Sequence, residues 1–83
     1  MVTTVADEVP WSEEITPYDE AHLTIYLRLL DAKTDGADVE DMARVILEID
    51  PDEQPERARN AVASHLQRAE WISSTAYGDL LKR

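Results

Sequence analysis

The chain has 83 residues, 18 acidic and 8 basic side chains, a formal charge of −10 and no cysteine. That length accommodates one domain with a thin core. The lack of cysteine excludes disulfides, Cys-ligated zinc and iron–sulfur clusters. Apolar runs such as Val45-Ile46-Leu47 are far too short to span a membrane, and the start of the chain lacks the basic and long apolar regions of a signal peptide. The net charge opposes attraction to nucleic acid or anionic lipid. The expectation is a small, soluble, cytoplasmic protein whose partner is another protein, with no membrane association.

The charge is unevenly spread. Residues 1–54 hold 15 acids and 3 bases (−12), whereas residues 55–83 hold 3 acids and 5 bases (+2). Such asymmetry marks candidate interaction surfaces. Residues 1–15 carry four acids, no base and no periodicity, which predicts a flexible acidic tail. Trp11 and Ile15 in it either pack back onto the domain or anchor a partner.

A first helix starts at Thr16, a good N-cap, with Pro17 in the first helical position and Asp19 and Glu20 at the positive end of the dipole. It is expected to run to about Lys33. Leu23, Tyr26, Leu27 and Leu30 have the spacing of a buried stripe. Ile25 and Leu29 widen the apolar arc to about 200°. An arc that wide fits either a central helix or a second face kept for a partner. After Gly36-Ala37 a second helix is capped by Asp38 and buries Val39, Met42, Ala43 and Ile46. The stretch from Ile49 to Pro55 cannot continue a helix.

A third helix begins at Pro55-Glu56 and buries Ala58, Ala61, Val62, His65, Leu66 and Ala69. Its outward face is expected to carry Arg57, Arg59, Asn60, Ala63, Ser64, Gln67 and Arg68. A short last helix, Thr75 to Lys82, would bury Ala76, Tyr77, Leu80 and Leu81. No stretch alternates as a half-buried strand does. The fold class is all-α: a small helical bundle at 16–83, a helix-turn-helix variant with an extended turn, behind a tail at 1–15.

Chemistry is sparse. His22 and His65 have no nucleophile motif around them, and Gly36 and Gly78 are too far apart to cradle a phosphate. Asp50, Asp52 and Glu53 begin like a calcium loop, but Pro55 and Ala61 occupy the places of its glycine and glutamate. No enzymatic activity, metal or cofactor is expected. Helices two and three have the order of a helix-turn-helix, in which Arg59, Asn60, Ser64 and Gln67 are residue types that read base edges. Against this, the connection is longer than the usual turn, and Asp50, Asp52, Glu53 and Glu56 cluster where that helix would meet phosphates.

Several motifs occur together in order: His22-Leu23, Tyr26-Leu27-Arg28-Leu29-Leu30-Asp31-Ala32, Gly36-Ala37-Asp38, Ala43-Arg44, Ile49-Asp50-Pro51, Glu56-Arg57-Ala58-Arg59, Ser64-His65-Leu66, Arg68-Ala69, Trp71, and Tyr77 with Leu80-Leu81. The set resembles a proteobacterial family of domains of unknown function encoded on integrative and conjugative elements, over about residues 17–83. The resemblance implies an extended-turn helix-turn-helix. It also implies a role in the regulation of transcription and horizontal gene transfer, with two kinds of member. In activators a positively charged version of the domain contacts DNA while its opposite side packs on an N-terminal partner domain. Antiactivators look like that domain alone with the DNA-binding charge reversed.

The antiactivator branch is the expectation here, with Asp50, Asp52, Glu53 and Glu56 replacing the DNA contact. The implied partner is a transcriptional activator, through its N-terminal domain, and a quorum-sensing LuxR-type activator is a second candidate. Ile25, Leu29, Tyr77 and Leu81 are the candidate partner-binding residues, each with a core role as its alternative. Direct DNA binding through Arg57, Arg59, Asn60 and Gln67 is the other reading.

Overall fold

A computed structural model of the chain describes residues 8–75. It is an all-α small bundle: α1 Pro17–Ala21, α2 Leu23–Thr34, α3 Val39–Asp41 running straight into a π-helix Met42–Leu47, and α4 Pro55–Ser73. No strand occurs among the described residues. The short last helix expected from Thr75 to Lys82 lies outside them, apart from its first residue.

The predicted first helix is two helices. Thr16 caps α1 as expected: its hydroxyl accepts from the Asp19 amide (3.1 Å), and the Asp19 carboxylate accepts from the Thr16 amide (3.0 Å). The helix then breaks at His22. In a continuous α-helix the His22 amide would donate to the Tyr18 carbonyl. Here the His22 ring donates to that carbonyl through Nδ1 (2.7 Å), and the amide turns to Asp19 instead. The Tyr18 and His22 rings stack at 3.9 Å.

At its other end α2 stops in a Schellman motif. Gly36 adopts φ +85°, the Ala37 amide donates to Ala32 (2.9 Å), and the Gly36 amide donates to Lys33 (3.0 Å). Glycine supplies the left-handed turn without a Cβ penalty.

Asp38 caps α3, accepting from the Asp41 amide (2.8 Å). The wider turn of the π-helix brings residues five apart to one side. Met42, Ala43, Ile46 and Leu47 are buried, whereas Val39, expected in the core, is 39% exposed and Val45 is 61% exposed. The segment ends at Glu48 with φ +60°, and the Ile49 amide donates back to Ala43 (3.0 Å). Residues 48–54 then connect it to α4.

Among the described residues two clusters form the core. Leu29, the buried face of the π-helix, Ile49, Ala58, Ala61 and Val62 make the larger one, against which Ile25, Ala32 and Leu66 pack. Tyr26, Ala69 and Ile72 make the smaller, flanked by Ile15, Leu23, Leu30 and Trp71. The alanines of α4 let α2 and the π-helix approach its axis closely. His65 is a hydrogen-bonded core residue, as expected: Nδ1 donates to the Ala61 carbonyl (2.7 Å), and Nε2 accepts from the Tyr18 hydroxyl (2.5 Å).

Two expectations are corrected. Residues 8–15 do not form a free tail: Val9 is buried, and its amide donates to Ser64 Oγ on α4 (2.7 Å). Arg68, expected on the outer face, has no solvent exposure. Both corrections have one cause, because the N-terminal segment covers Arg68 and receives its hydrogen bonds.

Candidate interaction surface

The outward stripe of α4 carries Glu56, Arg59, Asn60, Ala63, Gln67 and Glu70, all exposed. The structure thus brings three of the four candidate DNA-reading residues together on one face. The fourth, Arg57, is half-buried and donates to Gln54 (3.2 Å) at the start of the helix. Acids bracket the stripe, since Glu70 pairs with Lys33 from α2. Asp50, Asp52, Glu53 and Glu56 are all exposed around the α4 N-terminus. Asp50 accepts from the Asp52 amide (2.9 Å), which tightens the turn, and Asp52 lies 3.6 Å from Arg44. The exposure of this pair limits its contribution to stability.

The candidate partner-binding residues are distributed differently from the expectation. Leu29 has no exposure and sits in the larger core cluster, and Ile25 is half-buried against the same cluster. Leu29 is therefore core and offers no contact; α2 buries Tyr26 and Leu29 and leaves Thr24, Arg28 and Asp31 exposed. Tyr77 and Leu81 lie outside the described residues. Among the described residues the large apolar side chains left exposed are Trp11, Val39 and, most of all, Val45 on the π-helix. Val45 stands at the rim of a dimple of about 180 Å³ lined by Ala32, Ala37, Asp41, Met42 and Ile46. On the α4 side of the same segment, Val39 lines a separate hollow of about 260 Å³ with Pro51, Pro55 and Arg59.

Sequence reasoning missed the polar centre that holds α1, α4 and the N-terminal segment together. The Asp19 carboxylate accepts four hydrogen bonds: from Arg68 Nη2 (2.6 Å), Arg68 Nε (3.1 Å), the Tyr26 hydroxyl (2.7 Å) and the Thr16 amide (3.0 Å). Arg68 also donates to the Ser12 (2.5 Å) and Glu14 (2.8 Å) carbonyls. Its guanidinium carbon lies 4.9 Å from the Trp11 ring centroid and 4.4 Å from that of Trp71, within cation–π range. The two indoles meet edge to face at 5.7 Å.

Burial alone would push the Asp19 carboxyl up, but the bonds from Arg68, Thr16 and Tyr26 outweigh it and hold it at about 2. Burial and the adjacent Asp19 push the Tyr26 phenol up, so it stays a donor. A signal did exist: Ala61, His65, Arg68 and Ile72 follow i, i+4, i+7, i+11, the period of a buried stripe.

Burial also holds the His65 imidazole below its usual range, reinforced by His22 and partly offset by the hydrogen bond to Ala61. A depressed folded pKa means that the unfolded chain takes up a proton first. Stability is then complete above the ordinary value of about 6.5 and declines as pH falls below it. The melting temperature should drop between pH 7 and 5. His65→Gln, which keeps an acceptor near Tyr18, should flatten that slope in thermal melts followed by circular dichroism.

Among the described residues no three potential ligands converge as a metal site, and no helix is long and apolar enough to cross a membrane. No family model matches the chain, and no curated protein matches it.

Proposed function

We propose that this protein is an antiactivator of the QseM type, acting in the regulation of transfer of an integrative and conjugative element. It binds a transcriptional activator and blocks activation by competing for the surface that the activator's own similar domain uses. The observation carrying this reading is the exposed acid of Asp50, Asp52, Glu53 and Glu56 around the N-terminus of α4. In a helix-turn-helix this is the end that enters the major groove. Carboxylates there meet phosphates unfavourably, so the chain retains helices in the order of a DNA reader without the charge to bind DNA. The withdrawal of Arg68 into the interior supports the same reading, because it leaves Arg59 as the exposed arginine of the outer stripe.

On this reading the complex is inactive. The chain occupies the activator's N-terminal domain in place of the domain that would contact the promoter, and its acidic end supplies no substitute contact. Binding assays with purified activator fragments test this. The full chain should bind fragments containing the activator's N-terminal domain, and added helix-turn-helix domain of the activator should displace it. Binding only to the activator's DNA-contacting domain would overturn competition.

One observation favours a second reading, direct regulation through DNA: Arg59, Asn60 and Gln67 do share one exposed stripe. Under that reading the chain shifts promoter fragments in gels at moderate salt, and Arg59→Ala abolishes the shift.

A further inference from the structure

We propose that the dimple beside Val45, between α2 and the π-helix, is a docking site for a lysine- or arginine-rich amphipathic helix of a partner protein. Two independent features converge there. The first is apolar. Val45 is 61% exposed, and the floor beside it is made by Ala32, Ala37, Met42 and Ile46, giving a hollow of about 180 Å³ that suits one branched aliphatic side chain. Most of the Val45 side chain is left uncovered in the folded monomer, so a partner that covers it gains apolar burial.

The second feature is charge. Residues 35–53 contain eight acids against one base, Arg44. All eight are exposed, and Arg44 lies 3.6 Å from Asp52. Of these acids Asp41 lines the hollow itself, and an apolar hollow edged by a carboxylate on so acidic a segment selects a partner with an apolar anchor and cationic flanks.

The same field selects against other occupants. A second copy would set this acidic surface against itself across a two-fold axis, in a chain whose net charge is −10. Nucleic acid and anionic lipid carry the wrong sign. A cleft between two helices receives a third helix by ridge-and-groove packing, and the described residues offer no strand edge for an extended peptide.

This inference rests on the proposed antiactivator function only in naming the activator as the source of the helix. The test separates the two. The ¹⁵N-labelled full chain is titrated with a synthetic leucine/lysine amphipathic helical peptide. A peptide of the same composition with its leucines scattered, and one with glutamate for lysine, serve as controls. Amide shifts should centre on Ala37, Met42, Val45 and Ile46, and neither control should produce them.

Val45→Asp should weaken binding by roughly tenfold, the loss of one buried aliphatic contact, although it adds a further acid. Val45→Ser should weaken it without a change of charge. Val39→Asp, on the α4 side of the segment, should leave it unchanged. Equal or tighter binding by both Val45 variants, or shifts centred on Glu13 and Glu14, would overturn the site in favour of undirected charge attraction. Concentration-dependent dimerisation lost in Val45→Asp would overturn it in favour of a second copy.

The activator fragment then supplies the separate arm. If it binds the wild type and both Val45 variants equally, the docking site fails while the antiactivator reading stands. If the peptide maps to the dimple but the fragment does not bind, the antiactivator reading fails while the site stands.

Discussion

Replacing Arg68 with alanine should lower the melting temperature by 15 °C or more. The Asp19 carboxylate is wholly buried, and two of its four hydrogen bonds come from Arg68. Removing the guanidinium leaves that charge buried with only Tyr26 and Thr16 as donors, a loss of about 3–5 kcal/mol. Total stability for a domain of this size is about 4–12 kcal/mol, and each 1 kcal/mol corresponds to roughly 4–8 °C. At the lower end of that range the variant would be close to unfolding at room temperature.

The comparison that identifies the cause is Arg68→Met combined with Asp19→Asn. It removes both charges, fills most of the volume, and should be distinctly more stable than Arg68→Ala. Should Arg68→Ala instead melt within a few degrees of the wild type, the pair is not what holds the N-terminal segment. Fluorescence gives a second readout, because loss of the guanidinium between Trp11 and Trp71 frees the segment and shifts tryptophan emission to the red. The pair also fixes the acid limit. With the folded carboxyl at about 2 and its ordinary value at 3.8, the stabilisation is complete above pH 4. It amounts to about 2 kcal/mol and is lost as pH falls from 4 towards 2.

The second large effect is expected from reversing the charge at the head of α4. Asp52→Lys, Glu53→Lys and Glu56→Lys together change the net charge from −10 to −4. Asp50 is kept because its carboxylate accepts the Asp52 amide and shapes the turn. Each residue is exposed, so the fold should survive. Affinity for a short DNA duplex at low salt should rise by about a hundredfold, with a salt dependence of roughly three released counterions. A triple variant that still ignores DNA would mean that something other than these acids prevents contact. The same variant should keep its affinity for the activator's N-terminal domain if competition uses a different face.

The local signals were legible because their physics is local. Thr16, Pro17 and Asp19 specify a helix start through bonds within four residues, and Asp38, Gly36 and Pro55 do the same for the other boundaries. The alanine and valine spacing of α4 marked Ala58, Ala61, Val62, His65 and Ala69 as buried, as they are, because a helix of 19 residues has room for a periodic pattern; it did not mark Arg68. The break at His22 was not legible. It depends on a side chain taking a backbone carbonyl, and the sequence runs through the position with unbroken helical propensity.

The candidate site divides along the same line. Sequence alone determined that the chain is all-α, where α1, α3 and α4 begin, and that its acid gathers at the head of α4, since capping, propensity and charge order need no distant partner. Only the tertiary structure decided that Leu29 is interior while Val45 is exposed. An apolar arc of about 200° names the candidates for burial but not the neighbour that covers each. It likewise decided that Arg68 belongs inside. A charged side chain enters a core only when a partner distant in sequence satisfies it, and here Asp19, 49 residues away, does so together with the carbonyls of Ser12 and Glu14.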